Sequence, residues 1–236
     1  GHLKQLGMVD FEKNPELRQM LEKAIAYLDA ELKRDYDLLI EHKADLNKKH
    51  ISTFQIQYFY ARSFFKEKEI SSTNKVAFDY YYKQSKQYWL DYSLQLRGMI
   101  ALSANRYKDV EVAKTIMKAA KDIAIFNDEF GMYWKDNRRG YYWNQAPIET
   151  QALMIEAFDE VLDDKTSVEL LKIWLLKQKQ TQDWKTTKAT ADACYALLLK
   201  GTDVLTMENT VSLIVGDQQL DPANDPSLKT EAGTGY

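Results

Sequence analysis

The helices written into this sequence are of two kinds, and a chain can satisfy both only by stacking them in layers. One kind carries a single apolar stripe: Leu17, Leu21, Ile25, Leu28 and Leu32 recur at spacings of four and three. That is the pattern of an amphipathic helix with one face to water. The other kind, as from Thr187 to Leu199, is apolar nearly all round and rich in small residues. Such a helix must be covered on every side. Alternation of the two predicts an inner ring of buried helices inside an outer ring that meets water. Only four prolines and nine glycines occur in 236 residues, which argues against an all-β domain with its many turns. The expected fold class is all-α.

Local signals set the element boundaries. Asn14-Pro15-Glu16 is a helix start, with a capping residue, a proline at the first helical position and an acid in the first turn. A second helix is expected from about Asp35 to Asn47. Ser52 or its neighbours start a third, with Phe54, Tyr58, Ala61 and Phe65 on one face. Ser71-Ser72-Thr73 breaks the pattern before a fourth helix that runs to about Gln84. Tyr88–Leu102 and Tyr107–Ile125 hold a fifth and a sixth. Residues 127–146 read as irregular. Pro147 opens a helix to about Leu162, Asp164 caps another carrying Val168, Leu171 and Leu175, and Thr187 starts the last. The count is nine or ten.

After Gly201 the texture changes. Residues 210–215 are β-branched and alternate, and Gly216-Asp217, Asp221-Pro222 and Asp225-Pro226 are turn signals. One strand or hairpin is expected here, and a lone hairpin is not independently stable. The division expected is a helical domain over 1–205 and, over 206–236, the beginning of a following β domain or an extended tail.

Charge and cysteine usage narrow the partners. Acids outnumber bases 35 to 32, for a net charge of −3, which gives no electrostatic reason to expect nucleic acid or an anionic membrane. The longest basic clusters, Lys48-Lys49-His50 and Arg138-Arg139, are too short for a phosphate-tracking groove. No run of 18 apolar residues exists, so no membrane span is expected. Cys194 is the single cysteine, which excludes an intrachain disulfide and a four-cysteine metal site. Gly1-His2 reads as a tag remnant on a piece of a longer protein.

A weak repeat accompanies the layering. Trp143 is followed nine residues later by Ala152, and Trp184 nine residues later by Ala193; Trp89 and Gly98 are a looser third copy. The first two copies lie 41 residues apart, a period typical of stacked helix pairs. The segments Gly140-Tyr-Tyr-Trp-Asn-Gln-Ala-Pro-Ile-Glu-Thr-Gln-Ala-Leu153 and Gln182-Asp-Trp-Lys-Thr-Thr-Lys-Ala-Thr-Ala-Asp-Ala193 resemble repeats of the thioester domain of the alpha-2-macroglobulin family, in its bacterial branch. The resemblance is most specific over 131–200, and residues 211–236 are similar to the chain's return into a β domain. It implies an α/α toroid, incomplete at its N-terminus. It also implies an endopeptidase inhibitor that traps proteases in the periplasm or cell envelope, with proteases and neighbouring β domains as partners. The family's chemistry needs Cys-x-x-Gln. Here the stretch reads Cys194-Tyr195-Ala196-Leu197, so no thioester, no catalysis and no cofactor are expected of this chain.

Several residues were weighed as sites. The aromatic loop offers a candidate binding rim of Tyr133, Trp134, Arg138, Arg139, Tyr141, Tyr142 and Trp143, whose rings serve equally well to plug the end of a toroid. Cys194, among alanines and without a nearby His, reads as a buried inert thiol. His42 and His50, eight apart, would share a face of one helix, but metal sites on helices favour spacings of three or four, so no metal is assigned. Glu149, Asp159 and Asp192 are the acids placed to approach an inner helix end. An enzyme on an α/α barrel, glycosidase or cyclase, would need such acids around an open centre; Asp163-Asp164 falls short of a cyclase motif. A helical-repeat scaffold that binds a peptide is the third reading.

Overall fold

Helix starts in this chain are decided by local hydrogen bonds, and the layers follow from where those helices fall. Our computed structural model describes residues 1–11, 13–138, 146–181, 184, 186–199, 213–215 and 218–220. A short α1 (His2–Gln5) precedes α2 (Pro15–Glu41), whose cap Asn14 accepts the Leu17 N–H at 3.0 Å. Ser52 caps α3 (Thr53–Ser63) in a reciprocal box with Gln55. Then come α4 (Ser72–Gln87), a 3-10 turn (Trp89–Asp91), α5 (Leu94–Arg106) capped by Ser93, and α6 (Val110–Asp122). A small hairpin of β1 (Ile125–Asn127) and β2 (Gly131–Tyr133) pairs Ile125 with Tyr133. It is followed by α7 (Pro147–Ala157), a π-helical turn (Phe158–Leu162), α8 (Lys165–Thr181) and α9 (Thr187–Leu198), with Thr186 as the cap of α9.

The expected second helix does not exist as a separate element. Residues 35–41 continue α2 without a break, because no proline or glycine interrupts them. The ion pair of Lys33 with Asp37 (2.5 Å) and that of Arg34 with Glu31 bridge the polar stretch at helical spacing. His42 therefore ends α2, and His50 lies in the loop beyond it, off any helix.

Unit 1, Gly1–Leu199, has the two layers. The inner helices are α3, α5, α7 and α9, each packed on the next; α2, α4, α6 and α8 lie outside them. Between α5 and α7 the approach is close at Gly98, where a Cβ would stand 3.1 Å from the Met154 Sδ. Behind α7, Gln151 donates to the carbonyls of Met132 (2.8 Å) and Leu171 (3.2 Å), which ties the hairpin and α8 to the inner layer. Gly131 needs its left-handed φ of 75°, and a side chain there would run into the Leu170 carbonyl. Helix α1 stands between α3 and α9: the His2 ring stacks on Tyr195 at 3.8 Å and its Nε2 lies 3.0 Å from the Tyr60 hydroxyl.

The inner layer is not buried throughout, contrary to expectation. Nearly every residue of α5 and α7 is sealed, whereas α9 leaves Thr187, Lys188, Thr190, Ala191 and Cys194 exposed. Cys194 is thus an exposed thiol and not a buried one, on a helix whose one extensive helix contact among the described residues is with α7. At the other end, α3 turns Ile56 and Phe59 into the core, while Phe54, expected on its apolar face, is 73% exposed.

Unit 2, Lys200–Tyr236, holds the second hairpin, β3 (Leu213–Val215) antiparallel to β4 (Gln218–Leu220), with Leu213 opposite Leu220. The chain is thus mostly α-helical with a short β part.

Candidate functional site

Residues three, four and seven apart on a helix share a face, and four such faces converge in the inner layer of unit 1. Helix α3 contributes Gln57 and Tyr60, α5 Gln95 and Met99, α7 Glu149, Ala152, Leu153 and Glu156, and α9 Lys188, Asp192 and Tyr195. Together with His2 they line a cavity of about 510 Å³.

One end of the cavity is a charged network. Glu156, 2% exposed, accepts hydrogen bonds from the Tyr60 hydroxyl (2.6 Å), the Tyr195 hydroxyl (3.0 Å) and the Arg106 guanidinium (2.6 Å). Arg106 also donates to Glu160 (2.6 Å) and to Ser63 Oγ (3.1 Å), and its guanidinium lies 4.1 Å from the centre of the Phe64 ring. Burial alone would lower the Arg106 pKa, but the hydrogen bond to Glu160 and the field of Glu156 outweigh it, and the net shift is upward. Burial first, and the Glu156 carboxylate second, push Tyr60 and Tyr195 well above the usual phenol range, so both stay protonated as donors. His2 is shifted down, chiefly by burial and against the pull of Glu156 and Asp192.

At the other end lie the first turns of α5, α7 and α9, with Gln95, Glu149 and Lys188. The Lys188 ammonium donates to Asp192 at 2.5 Å. Gln57, Gln95 and Glu149 have no hydrogen-bond partner among the described residues. Gln95 is only 8% exposed and has no partner among the described residues, while its amide keeps contact with the open space of the cavity. Between the two ends the wall is apolar: Met99, Ala152 and Leu153.

The cavity gathers two of the three acids singled out from the sequence, Glu149 and Asp192. Asp159 is elsewhere, paired with Lys165 at 2.8 Å. Within the aromatic loop, Trp134 is turned inward and donates its indole N–H to the Ala120 carbonyl at 2.8 Å. Trp184 does the same for the Leu175 carbonyl at 3.3 Å, so each indole ties its loop to the outer helix before it. Tyr133 stacks on Trp174. Arg138 is exposed, with its Nε donating to the Lys135 carbonyl. Arg139, Tyr141, Tyr142 and Trp143 lie outside the described residues. His42 and His50 each spend a ring nitrogen on a backbone carbonyl, of Leu38 and Asp45 respectively. No cluster of three or more His, Cys, Asp or Glu among the described residues could hold a metal ion. No described helix is long and apolar enough to cross a membrane.

Sequence reasoning missed Gln57, Tyr60, Gln95, Arg106, Glu156 and Tyr195. The available signal was a polar residue on an otherwise apolar helix, repeated at helical spacing, as in Glu149 and Glu156. No family model, no curated protein and no solved structure matches this chain.

Proposed function

We propose that this chain is the helical domain of a bacterial alpha-2-macroglobulin-like protein of the cell envelope, a non-catalytic body within an endopeptidase inhibitor that traps proteases. The observation that supports this reading is the coincidence of the sequence repeat with the inner layer. Gly98, Ala152 and Ala193, each nine residues after a tryptophan, fall on α5, α7 and α9, three consecutive inner helices. A hairpin after the last helix agrees with a chain that returns to β structure.

On this reading the chain carries no acylating group. Cys194 is followed three residues later by Leu197 where the thioester chemistry needs a glutamine, and the intervening Tyr195 is engaged with Glu156. Among the described residues the cavity holds no pair of unengaged carboxylates for hydrolysis: Glu156 is held by three donors and Asp192 by Lys188. That leaves Glu149.

The test uses the full-length parent incubated with a panel of endopeptidases. Trapping leaves the protease active on a small chromogenic peptide and shielded from a protein substrate, with the two migrating together. Prior methylamine treatment changes neither the parent's mass nor the trapping. A protease that keeps full access to protein substrates after cutting the parent would overturn the proposal.

A further inference from the structure

The cavity inside the helical unit has the chemistry of a receptor for an organic cation, and this holds whether or not the parent traps proteases. Its unpaired groups include five acceptor oxygens, beside the amide N–H groups of the two glutamines. Glu149 offers two carboxylate oxygens, Asp192 one beyond its bond to Lys188, and Gln57 and Gln95 a carbonyl each. Gln95 carries the argument furthest. A polar side chain on so buried a residue is normally hydrogen-bonded. Gln95 is more than nine-tenths buried, lines the cavity and has no partner among the described residues. Its amide is set for something that enters.

Charge and shape define what enters. Glu156 is balanced by Arg106 and Asp192 by Lys188, while Glu149 is in no ion pair with a described residue; Lys188, at the same end of the cavity, is taken up by Asp192. Glu149 lies in the first turn of α7, where the helix dipole supplies a favourable field but no side-chain donor. One negative charge is therefore left for a ligand to neutralise. Next to it the wall of Met99, Ala152 and Leu153 is apolar and suits a run of methylene groups. We propose that the cavity binds a single aliphatic cation, an ammonium or guanidinium on an alkyl stem such as a lysine or arginine side chain. The head meets Glu149 and the carbonyls of Gln95 and Gln57, and the stem lies on Met99 and Leu153.

The test is calorimetric titration of this 236-residue chain with Nα-acetyl-arginine amide. Nα-acetyl-citrulline amide serves as the uncharged isostere and cellobiose as a neutral polyol. Saturable binding of the arginine amide is expected, with the citrulline amide weaker by about tenfold or more, the effect of losing one charged hydrogen bond. Glu149→Gln, isosteric and partly exposed, leaves the helical circular dichroism unchanged and weakens the arginine amide by about tenfold. Gln95→Leu weakens it by severalfold. The proposal is overturned by equal affinity for the two amides, by binding of cellobiose in preference to either, by unchanged binding in a folded Glu149→Gln chain, or by no saturable heat with the arginine amide. Each of these is read on ligand binding alone, so failure here is distinct from failure of protease trapping.

Discussion

Helices α5 and α9 occupy the same layer, begin with the same kind of cap and carry small residues at matching places, yet one is sealed and the other half open. Ser93 caps α5 and Thr186 caps α9. Helix α5 has inner neighbours on both sides, α3 and α7; α9 has α7 on one side. Burial of a helix in a layered array is thus a property of its neighbours rather than of its own sequence. An apolar, small-residue helix is competent to be buried all round. Whether it is so depends on a second partner arriving.

The comparison breaks most severely where α5 holds its charge. Arg106 ends α5 and is the only described cation bonded to the buried Glu156 carboxylate. Replacing it with leucine leaves Glu156 uncompensated, which for a broken buried pair costs about 3–5 kcal/mol. We expect Arg106→Leu to lower the urea midpoint sharply or to prevent folding. The matching change on α9, Lys188→Leu at an exposed position, should change the unfolding free energy by less than about 0.5 kcal/mol. Equal losses would mean that the two helices are equally load-free or equally sealed, and the distinction would fall.

A sharper version compares small residues. At Gly98 even a Cβ would sit 3.1 Å from Met154 Sδ and 3.3 Å from Leu153 Cδ2, so Gly98→Val overpacks the seam between α5 and α7, at about 1–3 kcal/mol. Ala191, exposed on α9, should accept valine within about 0.5 kcal/mol. Thermal unfolding of the two variants measures both. The thiol of Cys194, one turn further on, should react with a maleimide in the native protein at close to the rate of a small-molecule thiol. Protection until denaturant is added would show that this face is covered.

The same contrast explains what was legible in the sequence. Caps are local, so Asn14, Ser52 and Asp164 announced their helices correctly; Asp164 Oδ1 accepts the Ser167 N–H at 3.1 Å as a cap should. The run of α2 through residues 33–41 was not legible, because ion pairs between side chains one turn apart outweighed the weak apolar pattern. Phe54 and Cys194 were placed inside because composition reports competence for burial, and both lie where the inner layer has no further neighbour. Glu149 and Asp192 could be read as cavity acids because they sit in early turns of apolar helices. Gln95 could not, since a glutamine near a helix start has no distinguishing pattern; only the surrounding three helices make it unpaired.

The smallest expected effect concerns α1, which touches both α3 and α9. His2 stacks on Tyr195, contacts the Tyr60 hydroxyl and faces Glu156, Asp192 and Arg106. Its pKa is lowered from 6.5, mainly by burial. When docked it therefore binds a proton less readily than when undocked. The docked state is fully favoured above about pH 6.5 and loses stability as the pH falls through that value toward the lowered pKa. The side chain keeps 34% of its exposure, so the loss is modest. Amide exchange of Gln5 and Leu6, corrected for the intrinsic rate, should report more frequent opening at pH 5.5 than at 7.5, with α5 and α7 unaffected. In His2→Phe the ring still stacks on Tyr195 but cannot titrate, and the difference between the two pH values should vanish. If it persists, the titrating group is the Gly1 amino group, whose pKa burial also lowers, and the proton that loosens this open side of the layer is then taken up by the terminus and not by the ring.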